Sequence, residues 1–475
     1  MHRSPLHNIG VRLICLFACA CLAANASAGL ITGTRNFQIV RRLTGTAGSN
    51  SINPTWQVGV GGTDLGHMVN HHGKTYFLFG DTFAAEGPGG SDWRNNVMAY
   101  STDATPANGI TFDGWITRTN GTARQVINPG SAPTTYIPTG AISVGDKIYA
   151  WYMHVSNWDT GWTLSHAGLS SWREGDSQFS IVPNYRFQNP AGGDYTTDNG
   201  RTGGNFGMVA ASYRSPAESS GDDYLYLWGT PGGREGGVKL ARVLPSQIEN
   251  LSAYRYYNGT IGGFPQWTAS EYNAAKIVPS SSEGGTGVGE MSVMYNEAVG
   301  AWTMMYVTGG AAPDFEIRQA PQPWGPWSDP VRVADFSQAP GLYAPYMNPL
   351  YVEDGGRTLY FTMSLWNPYD VYLAKVTLDV APFADFNKDG LVSAADLTQW
   401  QRDFGANDAS DADGDGDSDG ADFLIWQRQL GSSLPATTAT APVPEPSSAL
   451  LMIGLALSAG AAARVPLASR QCEVL

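Results

Sequence analysis

Two aspartates that flank one glycine-rich stretch are the first residues whose types and spacing could do chemistry. Asp64 and Asp81 lie at the outer ends of two apolar runs, and a polar turn at His71, His72 and Gly73 separates the runs. This pattern predicts a β-hairpin. Because the outer ends of an antiparallel hairpin lie side by side, the two carboxyl groups are expected at one edge of a sheet, where they could share a ligand or a proton.

This hairpin is the first of five similar units. The predicted hairpins span 64–79, 140–155, 205–228, 290–307 and 343–365, and a third short strand follows each of them, at 96–101, 163–170, 237–243, 315–320 and 371–377. A unit that recurs at roughly 60 to 80 residues predicts an all-β, five-bladed β-propeller over residues 29–380. A β-sandwich, or two stacked all-β domains, is the alternative, but neither has a reason to repeat the order of hairpin and third strand.

The inner strands of a propeller all begin on one face of the disc, so the residues at their starts should meet at the mouth of the central channel. Glu290 would there join Asp64 and Asp81 as a third carboxyl group and candidate catalytic residue. The candidate substrate-binding residues are aromatic, amide or basic: Trp151, His154, Asn205, Arg234, Tyr343, Asn348, Trp366 and Asn367. Such a set is typical of a carbohydrate site.

Five short strings carry a resemblance to a known family. GTDLG at 62–66, FGDTF at 79–83, WGTPGGREGGVKLARV at 228–243, GVGEMSVMYN at 287–296 and YAPYMNPLY at 343–351 resemble secreted five-bladed propellers once catalogued as a domain of unknown function, whose members include endo-D-arabinanases of glycoside hydrolase family 183. The resemblance covers most of residues 50–380. It implies a secreted glycoside hydrolase that cleaves furanoside-containing, arabinan-like polysaccharide.

Glycoside hydrolysis needs one carboxylic acid to protonate the departing oxygen and one carboxylate to activate water or attack the sugar. By analogy with five-bladed furanosidases, Asp64 is expected as base or nucleophile, Glu290 as general acid with a raised pKa, and Asp81 as the group that orients the other two. The alternative is a non-catalytic, glycan-binding propeller at the cell surface. A sialidase-like mechanism is disfavoured because no cluster of three arginines appears at the channel positions.

Residues 383–431 hold a second, acidic module. Two loops that repeat after 26 residues place oxygen ligands and a glycine at the positions of a calcium loop, and a Trp-Gln-Arg helix follows each loop, at 400–402 and 426–428. The predicted calcium ligands are Asp385, Asn387, Asp389, Leu391, Ser393 and Asp396 in the first loop and Asp411, Asp413, Asp415, Asp417, Asp419 and Asp422 in the second. The module resembles a type I dockerin, which implies calcium-dependent folding and a cohesin-bearing partner, although Ser418 replaces the usual aliphatic residue.

The net charge of −14 is largely a property of this module. Eleven of its residues are aspartates, against Lys388, Arg402 and Arg428, which leaves about −6 for the rest of the chain. Acidity of this kind argues against nucleic acid as a partner.

Both ends of the chain carry targeting signals. Residues 1–28 have Arg3 and Arg12, an apolar run and a small-x-small cleavage pattern, which predict a signal peptide; a lipoprotein signal is the alternative. Three of the four cysteines lie in this peptide and the fourth is Cys472, so disulfides are not expected in the folded part. A linker at 432–442 precedes a segment at 443–475 that resembles a PEP-CTERM sorting signal and implies an exosortase-type protease; a plain membrane anchor is the alternative. The expected location is outside the cytoplasm, secreted or at the cell surface.

Overall fold

The computed structural model describes residues 29–130, 135–158, 162–187, 204–219, 221–413 and 416–433, all of which belong to one compact unit, Met1–Leu434. The predicted signal peptide, the sorting segment, most of the linker and Asp415 lie outside the described residues. Within the described residues, no helix is both long and apolar enough to cross a membrane.

Most of the regular secondary structure in the described chain is β-strand. In chain order they are β1 (Gly29–Arg42), β2 (Gly62–His71), β3 (Lys74–Phe83), β4 (Val97–Ser101), β5 (Gly114–Trp115), β6 (Thr135–Val144), β7 (Lys147–Asn157), β8 (Thr163–Trp172), β9 (Ser180–Phe187), β10 (Met208–Tyr213), β11 (Leu225–Thr230), β12 (Val238–Val243), β13 (Arg255–Ile261), β14 (Phe264–Thr268), β15 (Lys276–Val278), β16 (Met291–Asn296), β17 (Ala301–Val307), β18 (Phe315–Ala320), β19 (Val331–Ala334), β20 (Leu342–Glu353), β21 (Thr358–Leu365) and β22 (Asp370–Pro382).

These strands form five antiparallel sheets, each with its inner hairpin first. The sheet orders are β2-β3-β4-β5, β6-β7-β8-β9, β10-β11-β12-β13-β14 with β15 on β12, β16-β17-β18-β19, and β20-β21-β22-β1. The inner strands contact one another in a closed cycle, β2 to β6, β10, β16, β20 and back to β2. The five-bladed propeller is confirmed, and the sandwich alternative is wrong because a sandwich has no such cycle.

The inner hairpin of blade one shows how local sequence sets these units. His71 pairs with Lys74 across a two-residue turn, and the turn residues His72 and Gly73 have φ of 46° and 78°. Positive φ at both central positions gives a turn whose twist matches that of the flanking strands. The turn therefore lies where the polar residues between the two apolar runs predict it.

Blade five is built from both ends of the propeller, which the sequence pattern did not reveal. β1 pairs with β22 from Gly29 to Arg42 and becomes the outermost strand. At the start of β1, Gln319 of β18 accepts a hydrogen bond from Ile31 N at 2.6 Å and donates one to the Gly29 carbonyl at 3.1 Å. The first strand is thus held to blade five along its length and to blade four at its beginning.

Two short helices, α1 (Ala394–Asp403) and α2 (Gly420–Gln429), follow the propeller. Each begins at a capping box, formed by Ser393 with Asp396 in α1 and by Asp419 with Asp422 in α2. Because each box satisfies backbone N–H groups that a helix start leaves unpaired, the equivalent sequences produce equivalent helix starts.

The two helices also exchange equivalent hydrogen bonds. Trp400 Nε1 donates to the Asp419 carbonyl at 2.8 Å, and Trp426 Nε1 donates to the Ser393 carbonyl at 2.9 Å. Ser418 is fully buried, and its hydroxyl accepts a hydrogen bond from Ser410 N at 3.0 Å. The serine at this position is therefore accommodated by a hydrogen bond in place of an apolar contact.

We predict that Gln319→Met lowers the free energy of unfolding by about 2 kcal/mol, because the buried N–H of Ile31 and C=O of Gly29 lose their partner. Urea unfolding followed by tryptophan fluorescence measures the change. Gln57→Met, at an exposed position, is the matched control and should leave stability unchanged. Equal stability of the two variants would show that this contact does not hold β1 in place.

Candidate active site

A cavity of about 730 Å³ occupies one mouth of the central channel. Its walls include residues within the first four positions of all five inner strands: Leu65 of β2, Ile137 of β6, Met208 of β10, Met291 of β16 and Leu342 of β20. The three predicted catalytic residues, Asp64, Asp81 and Glu290, all line it, together with Arg234, Tyr343 and Trp366. The fold thus brings three carboxyl groups from two blades to one cavity.

An irregular stretch of β2 presents Asp64. The pairing of β2 with β3 shifts register on both sides of Leu65, and Leu65 and Gly66 have φ of 67° and 76°. A left-handed leucine costs on the order of 1–2 kcal/mol, and bulges of this kind re-aim neighbouring side chains and cluster near functional sites. The strain is located beside Asp64, as expected if the orientation of that carboxyl group matters.

Gly80 on the adjacent strand makes room for the Asp64 side chain. A Cβ atom at position 80 would lie 2.4 Å from Asp64 Oδ1 and 2.9 Å from a methyl carbon of Leu65. Asp64 Oδ1 is buried and has no hydrogen-bond partner among the described residues. One oxygen of the carboxyl group is therefore packed against backbone, which disfavours its charged form.

The surroundings of Asp64 favour its protonated form. Burial, with the neighbouring charge of Asp81 as the second cause, raises the pKa of Asp64 to about 8, although hydrogen bonds from Tyr369 and Tyr343 act in the opposite direction. The Tyr343 hydroxyl donates to Asp64 Oδ2 at 3.1 Å. At neutral pH this carboxyl group can hold a proton inside the cavity.

Asp81 lies at the end of β3 with two hydrogen-bond donors. Trp93 Nε1 donates to Asp81 Oδ1 at 2.8 Å, and the Thr135 hydroxyl donates to the same oxygen at 2.7 Å. Burial raises the pKa of Asp81 to about 6, while these two hydrogen bonds lower it. The two aspartates therefore titrate apart, and a pair of carboxyl groups whose environments separate their pKa values suits acid–base chemistry.

Glu290 is held by an arginine. Arg234 Nε donates to Glu290 Oε2 at 2.9 Å and Arg234 Nη2 donates to Oε1 at 2.8 Å, a bidentate ion pair in which Glu290 is only 7% exposed. The guanidinium also lies over the rings of Trp162 and Tyr343, at 5.3 and 5.4 Å from their centroids. Such a bidentate pair fixes the geometry of both side chains.

Glycines of blade four leave room for this arginine. A Cβ at Gly287 would lie 2.4 Å from the Arg234 carbonyl oxygen, and one at Gly289 would lie 2.5 Å from Arg234 Cγ. A Cβ at Gly309 would lie 2.8 Å from the same carbonyl oxygen. The glycines in the string GVGE and after β17 are thus needed for close packing around the ion pair.

Comparison with known proteins places the chain in a family. Residues 50–375 match the profile of DUF4185, a domain of unknown function. The chain belongs to this family.

The DUF4185 chain is also similar to individual proteins. It is 27% identical over 386 residues to the notoamide biosynthesis cluster protein J′ of Aspergillus versicolor, covering 77% of this chain and 93% of that protein. It resembles the structure of an α-L-arabinofuranosidase from Clostridium thermocellum at 11% identity, 67% and 93% coverage and a TM-score of 0.41. It also resembles an exo-β-1,3-galactanase from Phanerochaete chrysosporium at 11% identity, 74% and 65% coverage and a TM-score of 0.41. These structural likenesses are too distant to carry an argument about function.

Some predicted binding residues of the DUF4185 domain lie away from the cavity. Trp151 has no exposed surface and donates Nε1 to the Tyr185 hydroxyl at 2.9 Å within the packing between blades. It cannot stack on a sugar there, which corrects the prediction. The reason is distance along β7, since Met153, two residues and about 7 Å further on, is the residue of this strand that lines the cavity.

Two other predicted residues are buried in structural contacts. His154 contacts Ser165 and stacks on Tyr136 with ring centroids 4.7 Å apart. Asn205 donates to the Glu271 carbonyl at 3.3 Å. These polar side chains make their contacts with groups of neighbouring strands and loops, and they are not among the cavity-lining residues.

The two remaining asparagines also lie off the cavity. Asn348 bonds Asn70 through both side-chain amides, at 2.8 and 3.0 Å, because it lies five residues beyond Tyr343 on the descending strand β20. Asn367 is exposed and does not line the cavity, whereas its neighbour Trp366 stands at the rim and is 61% exposed.

The structure adds cavity residues that the sequence did not indicate. Tyr369 and Tyr346 line the wall together with Tyr343, and Trp158, Trp162 and Phe336 line the opening. Tyr346 falls within the string YAPYMNPLY and Tyr369 follows Trp366 closely, so both positions carried a signal. The loop residues carried none, because their approach depends on the path of loops between blades.

Acidic groups in the loops before α1 and α2 could hold ions. Carboxylate oxygens come within 4.8 Å of one another in three groups: Asp385, Asp389 and Asp396; Asp411, Asp413 and Asp422; and Asp417, Asp419 and Asp422. Asp396 and Asp422 are fully buried. Hard oxygen donors gathered this closely fit a cation such as calcium. Of the other predicted ligands, Ser393 caps α1 and Asn387 contacts Asp389, and Leu391 follows in the same loop.

We predict that Asp64→Asn stabilises the protein most at high pH. The folded-state pKa of Asp64 is raised, so the folded state binds more protons than the unfolded state between about pH 4 and pH 8, and stability conferred by the native carboxyl group is lost as pH rises. The variant should exceed the wild type by at least about 1 kcal/mol near pH 8, and the difference should shrink towards pH 4. Urea unfolding at several pH values measures it, with Asp329→Asn, at an exposed position, as control. A difference independent of pH would contradict the raised pKa.

Proposed function

We propose that the propeller is a glycoside hydrolase that acts on furanoside-containing polysaccharide. The observation that carries the proposal is the pair Asp64 and Asp81, two carboxyl groups in one cavity whose pKa values are raised to about 8 and about 6. Near neutral pH such a pair holds one proton, which is the state required of a general acid and a general base. The preference for furanosides rests on the sequence resemblance.

The electrostatics favour a division of roles that differs from the one expected from sequence. Asp64 suits the general acid: its proton passes to the glycosidic oxygen as the bond to the anomeric carbon breaks. Asp81 suits the base, which takes a proton from the water that attacks that carbon, or the nucleophile. Glu290, engaged by Arg234 in a bidentate ion pair, suits a positioning group in the wall of the cavity.

A non-catalytic glycan-binding propeller is the competing function. The exposed Trp366 at the rim would serve a binding module as well as an enzyme, because sugars stack on aromatic rings in both. Two carboxyl groups that share one cavity and differ in pKa are a feature of acid–base sites, and this favours the enzyme.

We predict that Asp64→Asn and Asp81→Asn each lower kcat/KM by about a hundredfold or more, measured as reducing-sugar release from a panel of arabinans. Activity should depend on pH as a bell, with its lower limb near pH 6 from Asp81 and its upper limb near pH 8 from Asp64. Asp329→Asn is the matched control and should retain full activity.

Each result bears on one hypothesis. If neither aspartate variant changes the turnover of an active preparation, the assignment of Asp64 and Asp81 is wrong. If the wild-type protein binds glycans but releases no sugar from any of them, the binding function replaces the enzymatic one.

We also propose that residues 383–431 form a type I dockerin that binds calcium and docks to a cohesin-bearing protein. The convergence of carboxylates before each helix and the exchanged hydrogen bonds of Trp400 and Trp426 support a duplicated ion-binding unit. When bound, calcium would neutralise the mutual repulsion of these carboxylates, with Asp396 and Asp422 as buried ligands.

The targeting signals complete the proposal. Residues 1–28 would direct export, and residues 443–475 would be processed at the cell surface by an exosortase-type protease. The hydrolase would then act outside the cytoplasm, either released or attached.

We predict that a calcium chelator removes one thermal transition, that of residues 383–433, and leaves the propeller transition in place. Without cation, the carboxylates of each loop repel one another within 4.8 Å. Differential scanning calorimetry of the whole protein, with and without chelator, measures this. Asp396→Asn and Asp422→Asn should abolish the calcium response, whereas Asp408→Asn, outside both loops, should keep it. An unchanged thermogram in chelator would show that the segment folds without calcium.

A further inference from the structure

The walls of the cavity differ in chemistry from one side to the other. Blades one, four and five contribute the ionisable groups Asp64, Asp81, Glu290 and Tyr343, and Arg234 of blade three reaches Glu290 on this side. Elsewhere blades two and three contribute an aliphatic wall through Ile137 on β6, Met153 on β7 and Met208 on β10, each at most 5% exposed, which lies beside Thr139 of β6. The aliphatic wall, meaning these three side chains, continues into the hydrophobic core.

The rim above the aliphatic wall is aromatic. Trp158 and Trp162 line the opening on the side of blade two, with their rings in edge-to-face contact at 5.7 Å, and Trp158 is 43% exposed. Phe336 lines the opening as well and is 37% exposed. Large apolar side chains held at a concave opening, rimming a partly apolar cavity, are typical of ligand sites.

The aliphatic wall discriminates between ligands. A sugar hydroxyl pressed against Ile137, Met153 or Met208 loses its hydrogen bonds to water without replacement, which costs roughly five- to a hundredfold in affinity for each hydroxyl. An alkyl or aryl group in the same place gains about fourfold for each methylene removed from water. A saccharide unit is therefore suited to the ionisable side and an apolar group to the aliphatic side.

We propose that the substrate is an amphiphilic glycoside, a saccharide joined to an alkyl or aryl aglycone, with the saccharide at Asp64 and Asp81 and the aglycone against Ile137, Met153 and Met208. This inference rests on the proposed hydrolytic function, but it replaces the sugar leaving group of a polysaccharide with an apolar one. The bond that breaks joins the anomeric carbon to the aglycone oxygen. The aglycone leaves as an alcohol or phenol carrying the proton from Asp64, while water supplies the hydroxyl of the released sugar and its second proton passes to Asp81.

Two measurements on the whole protein test the inference. In the first, N-phenyl-1-naphthylamine, a neutral fluorescent probe, is bound to the wild-type protein and displaced by n-butanol and n-hexanol. In the second, kcat/KM is compared for methyl, butyl and hexyl arabinofuranosides of both the D and the L series. We expect one probe site, and an increase of about fourfold per methylene in both displacement by alcohols and kcat/KM.

Variants locate the effect. Met208→Gln and Met153→Gln keep the side-chain volume but make the wall polar, and each should weaken probe binding by about tenfold and flatten the dependence on chain length. Leu350→Gln, at an exposed position outside the cavity, is the matched control. The dependence on alkyl chain length measured with the wild-type protein tests the inference even if a methionine variant fails to fold.

The outcomes separate this inference from the proposed function. Cleavage of methyl and hexyl glycosides at equal kcat/KM would overturn the inference and leave the hydrolase standing. Probe binding that responds to chain length and to Met208→Gln, with no glycoside cleaved, would support the apolar subsite and overturn the hydrolase. Absence of probe binding to the folded wild-type protein would also overturn the inference.

Discussion

The pairing of β1 with β22 is the interaction on which the rest of the structure depends. A propeller is a ring, and a ring of sheets without a closing strand leaves one blade with an open edge and the channel free to widen. Here the outermost strand of blade five comes from the beginning of the propeller, and Gln319 ties its first residues to blade four. The distances among groups that come from different blades, Asp64, Arg234 and Tyr343 among them, all depend on that closure.

Inside the closed ring, the electrostatics of the cavity follow from which polar groups receive partners. Glu290 receives a full arginine fork, Asp81 receives two donors on one oxygen, and Asp64 receives the Tyr343 hydroxyl but keeps one oxygen against Gly80 without a partner among the described residues. The pKa values of Asp64 and Asp81 therefore differ within one cavity. The difference in pKa between Asp64 and Asp81 assigns the acid and the base more directly than the order of the residues in the chain does.

The acidic segment after the propeller depends on different interactions. Its helices are short, and each depends on a capping box and on an indole hydrogen bond from the other helix. Short helices of this kind are marginal alone, and the carboxylates before them repel one another. The two helices are therefore weakly stable by themselves, and they adjoin a site that could hold an ion. In such an arrangement, folding of a small module can depend on metal binding.

Much of the architecture could be predicted from local pattern, because strand, turn and repeat are local properties. The third strands expected at 315–320 and 237–243 match β18 and β12 closely, and the turn at His72 and Gly73 lies where the residues require it. The order of the units predicted the meeting of Asp64, Asp81 and Glu290 at one mouth. The calcium-loop spacing likewise predicted the acidic groups before each helix.

Other features were decided only by tertiary structure. Trp151 and Met153 lie on the same strand, and the two-residue difference that sends one to the core and the other to the cavity depends on how far blade two extends towards the mouth. Asn348 resembles a ligand-binding amide in sequence, but it pairs with Asn70 on another blade. The sequence by itself determined the repeating strands, the turns and the candidate carboxyl groups. Only the tertiary structure decided which side chains face solvent, which charge finds a partner, and hence which aspartate keeps its proton, because burial and pairing depend on neighbours from distant parts of the chain.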